Sequence, residues 1–142
     1  MNKIILTQGI QGSGKTTWAK AWVAEDPEHR IRINNDDITS MWGQPFGTPG
    51  LYKRLQYFRR NMISWAMGEG LDIVVDNMNL SKNSLDEIEE LIITLQSNYE
   101  IEYKSFKEVP LEVCIERDSK RPNPIGEKII RETYNKYIKN ND

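Results

Sequence analysis

The sequence predicts an α/β fold: a parallel sheet of about four strands with helices on both faces. Two observations carry it. Short apolar runs alternate along the chain with longer stretches of helical spacing. Three segments then end together in polar residues, at Gln8-Gly9, Asn34-Asn35-Asp36-Asp37 and Asp76-Asn77-Met78-Asn79. Sheets of this kind bind ligands beyond the carboxyl ends of their strands.

The elements follow in order. Lys3–Gln8 is a short apolar strand, and Thr16–Ala24 a helix with Trp18, Ala21 and Trp22 on one face. Arg30–Asn34 is a second strand, with Ile31 and Ile33 on the same side. The stretch Gly43–Gly50, Phe46 included, is a Gly/Pro-rich loop. Leu51–Gly68 is helical, because Leu55, Phe58, Met62 and Trp65 recur at helical spacing as a core face. Leu71–Val75 is the most apolar strand and runs into Asp76. Ser81 caps a helix carrying Leu85, Ile88, Ile92 and Leu95. Ile101–Phe106 alternates as a fourth strand. Pro110 opens a helix through Arg117, and Ile129, Ile130, Thr133, Tyr134 and Tyr137 stripe the last one.

Composition bounds the function. The 142 residues correspond to one domain, 1–142. Nineteen Lys+Arg against 21 Asp+Glu give a net charge of −2, which excludes a basic coat for nucleic acid; any such partner is gripped locally. Cys114 is the only cysteine and His29 the only histidine, so neither a disulfide nor a structural zinc site is expected. Val113 and Ile115 mark Cys114 as a buried thiol. No run approaches the ~18 apolar residues of a membrane span. The apolar run at the N-terminus is too short for a signal peptide, and a cytoplasmic protein is expected.

Gly9-Ile10-Gln11-Gly12-Ser13-Gly14-Lys15-Thr16 matches the phosphate-loop pattern G-x-x-x-x-G-K-[ST] at every fixed position, with the strand before and the helix after that it requires. Glycines let backbone N–H groups curl toward a phosphate, and the helix start adds its positive dipole end. Lys15 brings charge to the β and γ phosphates, and Thr16 offers its hydroxyl to Mg²⁺. The fold class is therefore a P-loop NTPase-type parallel sheet. A guanine-reading [NT]-K-x-D is missing, since Asn135-Lys136-Tyr137-Ile138 lacks the Asp. Asp76 is followed by Asn77, so the acidic pair of motor ATPases is missing too. A phosphoryl-transfer kinase fits better.

Such a kinase needs a carboxylate within reach of the acceptor hydroxyl. Asp36 and Asp37 are the candidates, with Asp36 favoured at the strand end; both residue types also cap helices, and for Asp37 capping is an equal reading. Arg117 and Arg121 share a helix face at i, i+4, and Pro122-Asn123-Pro124 then breaks the helix. Residues 117–126 suit a lid closing on a triphosphate, or a merely solvated charge run. Lys53, Arg54, Tyr57, Arg59 and Arg60 form the densest basic cluster, either an anionic-substrate contact or a solvated face.

The strings Lys3-Ile4-Ile5-Leu6-Thr7, Gly12-Ser13-Gly14-Lys15-Thr16-Thr17-Trp18-Ala19, Ile33-Asn34-Asn35-Asp36-Asp37, Asp76-Asn77-Met78-Asn79 and Arg117-Asp118-Ser119-Lys120-Arg121 together resemble the P-loop 5′-polynucleotide kinases of nucleic-acid repair, T-even phage kinase domains among them. The resemblance spans nearly the whole chain. It implies strand order 2-3-1-4, with ATP and Mg²⁺ as cofactors and a 5′-hydroxyl end of DNA or RNA as acceptor. It implies Asp36 as general base, with Lys15 and Arg121 also catalytic. Gly12, Ser13, Gly14, Lys15, Thr16, Thr17, Arg117 and Arg121 would contact ATP. Asp37, Thr39, Asp76, Asn77, Met78 and Asn79 would border the acceptor. The chain departs from the family at Thr39, where the pattern has Arg, at Asn35, where it has a basic residue, and at Met78, where Thr is frequent. No D-x-D-x-T string occurs, so phosphatase activity of the family's kind is not expected. The residues leave open a small-molecule kinase acting on a sugar or nucleoside, and a nucleotide-dependent binding protein without turnover.

Overall fold

The computed structural model describes residues 1–45, 47–95 and 98–139; Phe46 of the Gly/Pro loop lies outside them. Four parallel strands, β1 (Lys3–Gln8), β2 (Arg30–Ile33), β3 (Asp72–Val75) and β4 (Glu100–Ser105), form a sheet in the order β2-β3-β1-β4. The expected order and fold class are those observed.

The register explains why β1 and β3 read as continuous apolar runs. Ile4 pairs with Ile73, Ile5 with Val74, and Leu6 with Val75, in the two central strands. Side chains alternate between faces, and both faces are covered. Ile4, Leu6, Ile33, Ile73 and Val75 bury one face against α2 (Asn35–Thr39), α3 (Leu51–Gly68) and α4 (Lys82–Leu95). Ile5 and Val74 bury the other face against Ala19 and Trp22 of α1 (Lys15–Glu25). A third cluster joins Ile10 of the phosphate loop to Cys114 of α5 (Leu111–Ser119) and Ile130 of α6 (Glu127–Tyr137).

Ser81 caps α4 as expected, its Oγ accepting from Ser84 N at 3.1 Å. Three helix faces differ from expectation. In α3 the inner stripe is Leu51, Leu55, Arg59, Ile63 and Met67, at strict i, i+4 spacing, while Phe58 and Trp65 are exposed. A charged residue occupies an inner position there because Glu87 of α4 neutralises it. In α1, Ala19 and Trp22 are buried and Ala21 is exposed. In α6 only Ile130 of the apolar stripe is buried, and Ile129 faces the cleft described below.

The turn after β3 is stapled to β1. Asn79 is buried at φ 48, the left-handed region that asparagine tolerates better than most residues. Its Nδ2 donates to Thr7 O at 2.7 Å and Val75 O at 3.2 Å, and Thr7 Oγ1 donates to Asn77 O at 3.0 Å. Gly9 N reaches Met78 O at 3.2 Å, so the same turn also holds the start of the phosphate loop. Replacing Asn79 by alanine removes these bonds and strains the backbone, for an expected loss of about 2–4 kcal/mol of unfolding free energy. Asn79→Gly keeps the backbone conformation and should lose less. Urea unfolding of the two variants checks this: equal losses would mean that the positive φ carries no cost.

Candidate active site

The carboxyl ends of β1, β2 and β3 open into one cleft of about 630 Å³, bordered by the phosphate loop, residues 34–36, residues 75–79 and part of the α5–α6 segment. At its base, the phosphate loop leans directly on α5. Gly12 has φ 79, and a Cβ there would sit 2.4 Å from the Cys114 carbonyl oxygen. No side chain fits, which ties this glycine to helix contact as well as to phosphate geometry. Lys15 Nζ donates to Ile10 O at 2.8 Å, which curls the loop on itself. Burial lowers the Lys15 pKa from 10.5 to about 8; Asp76 opposes that shift and Arg121 adds to it.

Asp76 is the junction of the site. It is 1% exposed, and its Oδ2 accepts from Thr16 Oγ1 at 2.9 Å and from Arg32 Nε at 2.7 Å. Its Oδ1 is buried without a hydrogen-bond partner among the described residues. Arg32 also donates through Nη1 to Asp37 Oδ2 at 2.6 Å. The two neighbouring aspartates therefore differ. Asp37 is held by Arg32, whereas no hydrogen bond or ion pair among the described residues engages the Asp36 carboxylate, which is exposed and borders the cleft. Neither caps α2: that role belongs to Asn34, whose side chain accepts from Asp37 N at 2.9 Å. Thr39 turns back on its own helix, with Oγ1 donating to Asp36 O at 3.2 Å.

Beside Asp36, a polar chain runs to α3 and α4. Asn77 Oδ1 accepts from Asn35 N at 2.9 Å, and Asn35 Oδ1 accepts from Asn77 Nδ2 and Arg59 Nη1, both at 3.2 Å. Arg59 is 7% exposed and pairs through Nη2 with Glu87. Glu87 also accepts from Gln56 and from Tyr52, each at 3.0 Å. Partial burial opposes the charge on Glu87, but these bonds and Arg59 outweigh it and hold its pKa below the ordinary value. Met78 and Asn79 also border the cleft, although the Asn79 amide is committed to backbone carbonyls.

The segment 117–126 is anchored from beneath. Asp118 is 2% exposed and accepts from Ile125 N at 3.0 Å and Gly126 N at 2.9 Å. Arg121 borders the cleft and approaches Asp118 at 3.9 Å. Arg117 is placed differently: its Nη1 donates to Gly12 O at 3.4 Å, and it is not among the residues that line the cleft. Ser13, Gly14, Thr16 and Thr17 line the cleft with Lys15. Sequence reasoning missed Arg32, Glu87 and Asp118. Arg32 had a signal, a cation inside a strand that ends beside a conspicuous acid; Asp118 had none beyond an ordinary helical i, i+3 spacing to Arg121.

Residues 4–140 match the model of an AAA domain family. This chain belongs to that family. Among solved structures, this AAA domain superposes on a chain of the Pnkp1/Rnl/Hen1 RNA repair complex with a TM-score of 0.82 and 22% identity over 99% of its length. It spans 46% of that longer chain. It is also similar to the Mycobacterium tuberculosis APS kinase CysC, solved with AMPPNP and APS (TM-score 0.64, 14% identity, covering 84% of this chain and 69% of that one). A gluconokinase from Sinorhizobium meliloti 1021 gives a TM-score of 0.55 at 15% identity, covering 95% of this chain and 74% of that one. The AAA domain thus has the fold of P-loop kinases. No helix among its described residues is long and apolar enough to cross a membrane.

P-loop kinases generally bind ATP with Mg²⁺, and the residues present fit that ion. The unpartnered Asp76 Oδ1 and the Thr16 hydroxyl offer hard oxygen donors together at the phosphate loop. No group of three or more His, Cys, Asp or Glu side chains among the described residues could hold a metal by itself.

Lys15 supplies a test of the buried loop in the unliganded protein. Between about pH 8 and 10.5 the unfolded chain holds more protons on this residue than the folded one, so its contribution to stability rises with pH across that window. Lys15→Met removes the effect. Urea unfolding at about pH 7 and about pH 10 should show the difference between wild type and variant moving in the wild type's favour at the higher pH. A difference independent of pH would mean that Lys15 is not desolvated.

Proposed function

We propose that this chain transfers the γ-phosphoryl group of ATP to the 5′-hydroxyl end of DNA or RNA, as a step in nucleic-acid end repair. The observation that carries the reading is the unengaged Asp36 carboxylate beside the phosphate loop, next to an Asp37 that Arg32 holds in place. The similarity to a chain from an RNA repair complex supports a nucleic-acid acceptor.

In this mechanism Asp36 accepts the proton of the acceptor hydroxyl as its oxygen bonds to the γ-phosphorus. The bond from that phosphorus to the β–γ bridging oxygen breaks, and ADP leaves. Lys15 neutralises charge on the transferred group, and Gly12, Ser13, Gly14 and Thr17 cradle the phosphates around it. Mg²⁺, held through Thr16 and Asp76, would neutralise phosphate charge. Residues 117–126 act as a lid within a single domain, with Arg121 facing the phosphates and Arg117 reaching them by exchanging its Gly12 contact. Asn77 and Met78 border the acceptor directly. Asp37, Thr39 and Asn79 act through the elements they hold, Asp37 by fixing Arg32 and Asp76.

The fold shared with an APS kinase and a gluconokinase favours one second reading, a kinase for a small hydroxyl compound. Label transfer from γ-labelled ATP to a 5′-hydroxyl oligonucleotide, a nucleoside, a sugar and water separates the two. The proposal expects the oligonucleotide to be labelled far faster than the rest; preferential labelling of the sugar or nucleoside would replace it. Within that assay Asp36→Asn should lower turnover by at least ~100-fold while ATP binding persists, as expected for a lost general base. Asp37→Asn should cost about tenfold or less, because it disturbs positioning alone. The opposite ranking would assign the proton to Asp37.

A further inference from the structure

Tyr52 is the only aromatic residue among the described ones that borders the cleft, and it is 55% exposed. A surface tyrosine alone means little. This one is fixed at its far end: its hydroxyl donates to Glu87, which also holds Gln56 and the buried Arg59, and Arg59 contacts Asn35 next to Asp36. The result is a rigid ring on the Asp36 side of the cleft, linked to the residue before that carboxylate. The exposed apolar side chains at the opposite, α5–α6 side are Ile125 and Ile129. Ordering the ring in advance lowers the entropy cost of stacking a flat ligand on it.

Charge on the flanking helices says what kind of flat ligand this is. α3 carries Lys53, Arg54, Arg59 and Arg60 and no acid at all, and Lys53, Arg54 and Arg60 have no ion-pair partner among the described residues. α4 carries Asp86, Glu87, Glu89 and Glu90. A second cavity of about 530 Å³ between the two helices is lined by Asp86, Glu87 and Glu90 as well as Arg59 and Arg60, so it is a poor path for phosphodiesters. Arg60 shares that acidic cavity, so the favourable path runs from Tyr52 round the side of α3 that carries Lys53 and Arg54, away from α4.

We propose that the Tyr52 ring stacks on the nucleobase of the acceptor's 5′-terminal nucleotide, with the following phosphates directed along the basic face of α3. This inference rests on the polynucleotide reading above. It explains how the acceptor end is held although Thr39 offers no charge.

The test uses the full chain and two 5′-hydroxyl oligonucleotides that differ only in whether the terminal nucleotide bears a base. Wild type should show a KM about tenfold or more higher for the abasic end, the scale of base stacking on an aromatic side chain. Tyr52→Ala should bring that ratio close to one, Tyr52→Leu should do the same, and Tyr52→Phe should keep it. Circular dichroism and urea unfolding verify that each variant is folded, and ATP binding is measured separately. If wild type labels the oligonucleotides but the ratio survives in Tyr52→Ala or Tyr52→Leu, the Tyr52 assignment falls and the kinase reading stands. If the variants weaken ATP binding instead, Tyr52 serves the nucleotide and the assignment is overturned. If wild type labels no oligonucleotide, both readings fall together.

Discussion

Everything at the cleft depends on one buried carboxylate. Asp76 directly follows the central strand β3 and receives Thr16 from the phosphate loop and Arg32 from β2. Burying a carboxylate is unfavourable unless it is paired and hydrogen-bonded. Here the compensation comes from two other segments, so the acid cannot be accommodated unless β1, β2 and β3 stand in their observed order. Arg32 extends the same constraint to Asp37. One interaction set therefore fixes the phosphate loop, the second strand and the orientation of the α2 start, and it leaves Asp36 free. The unpartnered Asp76 Oδ1 is the residual cost, of the kind that marks functional sites.

A second constraint operates on the other side of the phosphate loop. Gly12 abuts the backbone of α5 at Cys114, and Asp118 at the end of that helix gathers the backbone of Ile125 and Gly126. A shift of the phosphate loop thus has a direct mechanical route to residues 117–126. The route is short and made of close contacts, whereas among the described residues the Arg121 side chain has one long approach, to Asp118 at 3.9 Å. The Asp118 carboxylate thus ties the start of α6 to the end of α5 through two backbone bonds, and Arg121 stands beside it at the cleft.

Much of this was legible in the sequence because it rests on local signals. The phosphate loop has fixed spacing, the parallel strands have apolar runs, and Ser81 precedes its helix in the usual way. The paired charges were not legible. Arg59 reads as one more cation in a basic cluster, and only the partner Glu87, 28 residues away, explains why it lies inside. The same blindness placed Phe58 and Trp65 in the core, since an apolar stripe at mixed spacing outscored one containing an arginine. Asp36 and Asp37 are indistinguishable by residue type. Their difference arises from Arg32, whose side chain reaches both Asp37 and Asp76.

In the proposed reaction Asp36 takes the acceptor's proton at a 5′-hydroxyl end. The most direct measurement is a crystal structure with a non-hydrolysable ATP analogue, Mg²⁺ and a short 5′-hydroxyl oligonucleotide. The terminal hydroxyl oxygen should lie about 2.6–3.2 Å from an Asp36 carboxylate oxygen and in line with the γ-phosphate, with Asp37 still on Arg32. A hydroxyl seated on Asp37, or an oligonucleotide bound outside the cleft, would contradict it.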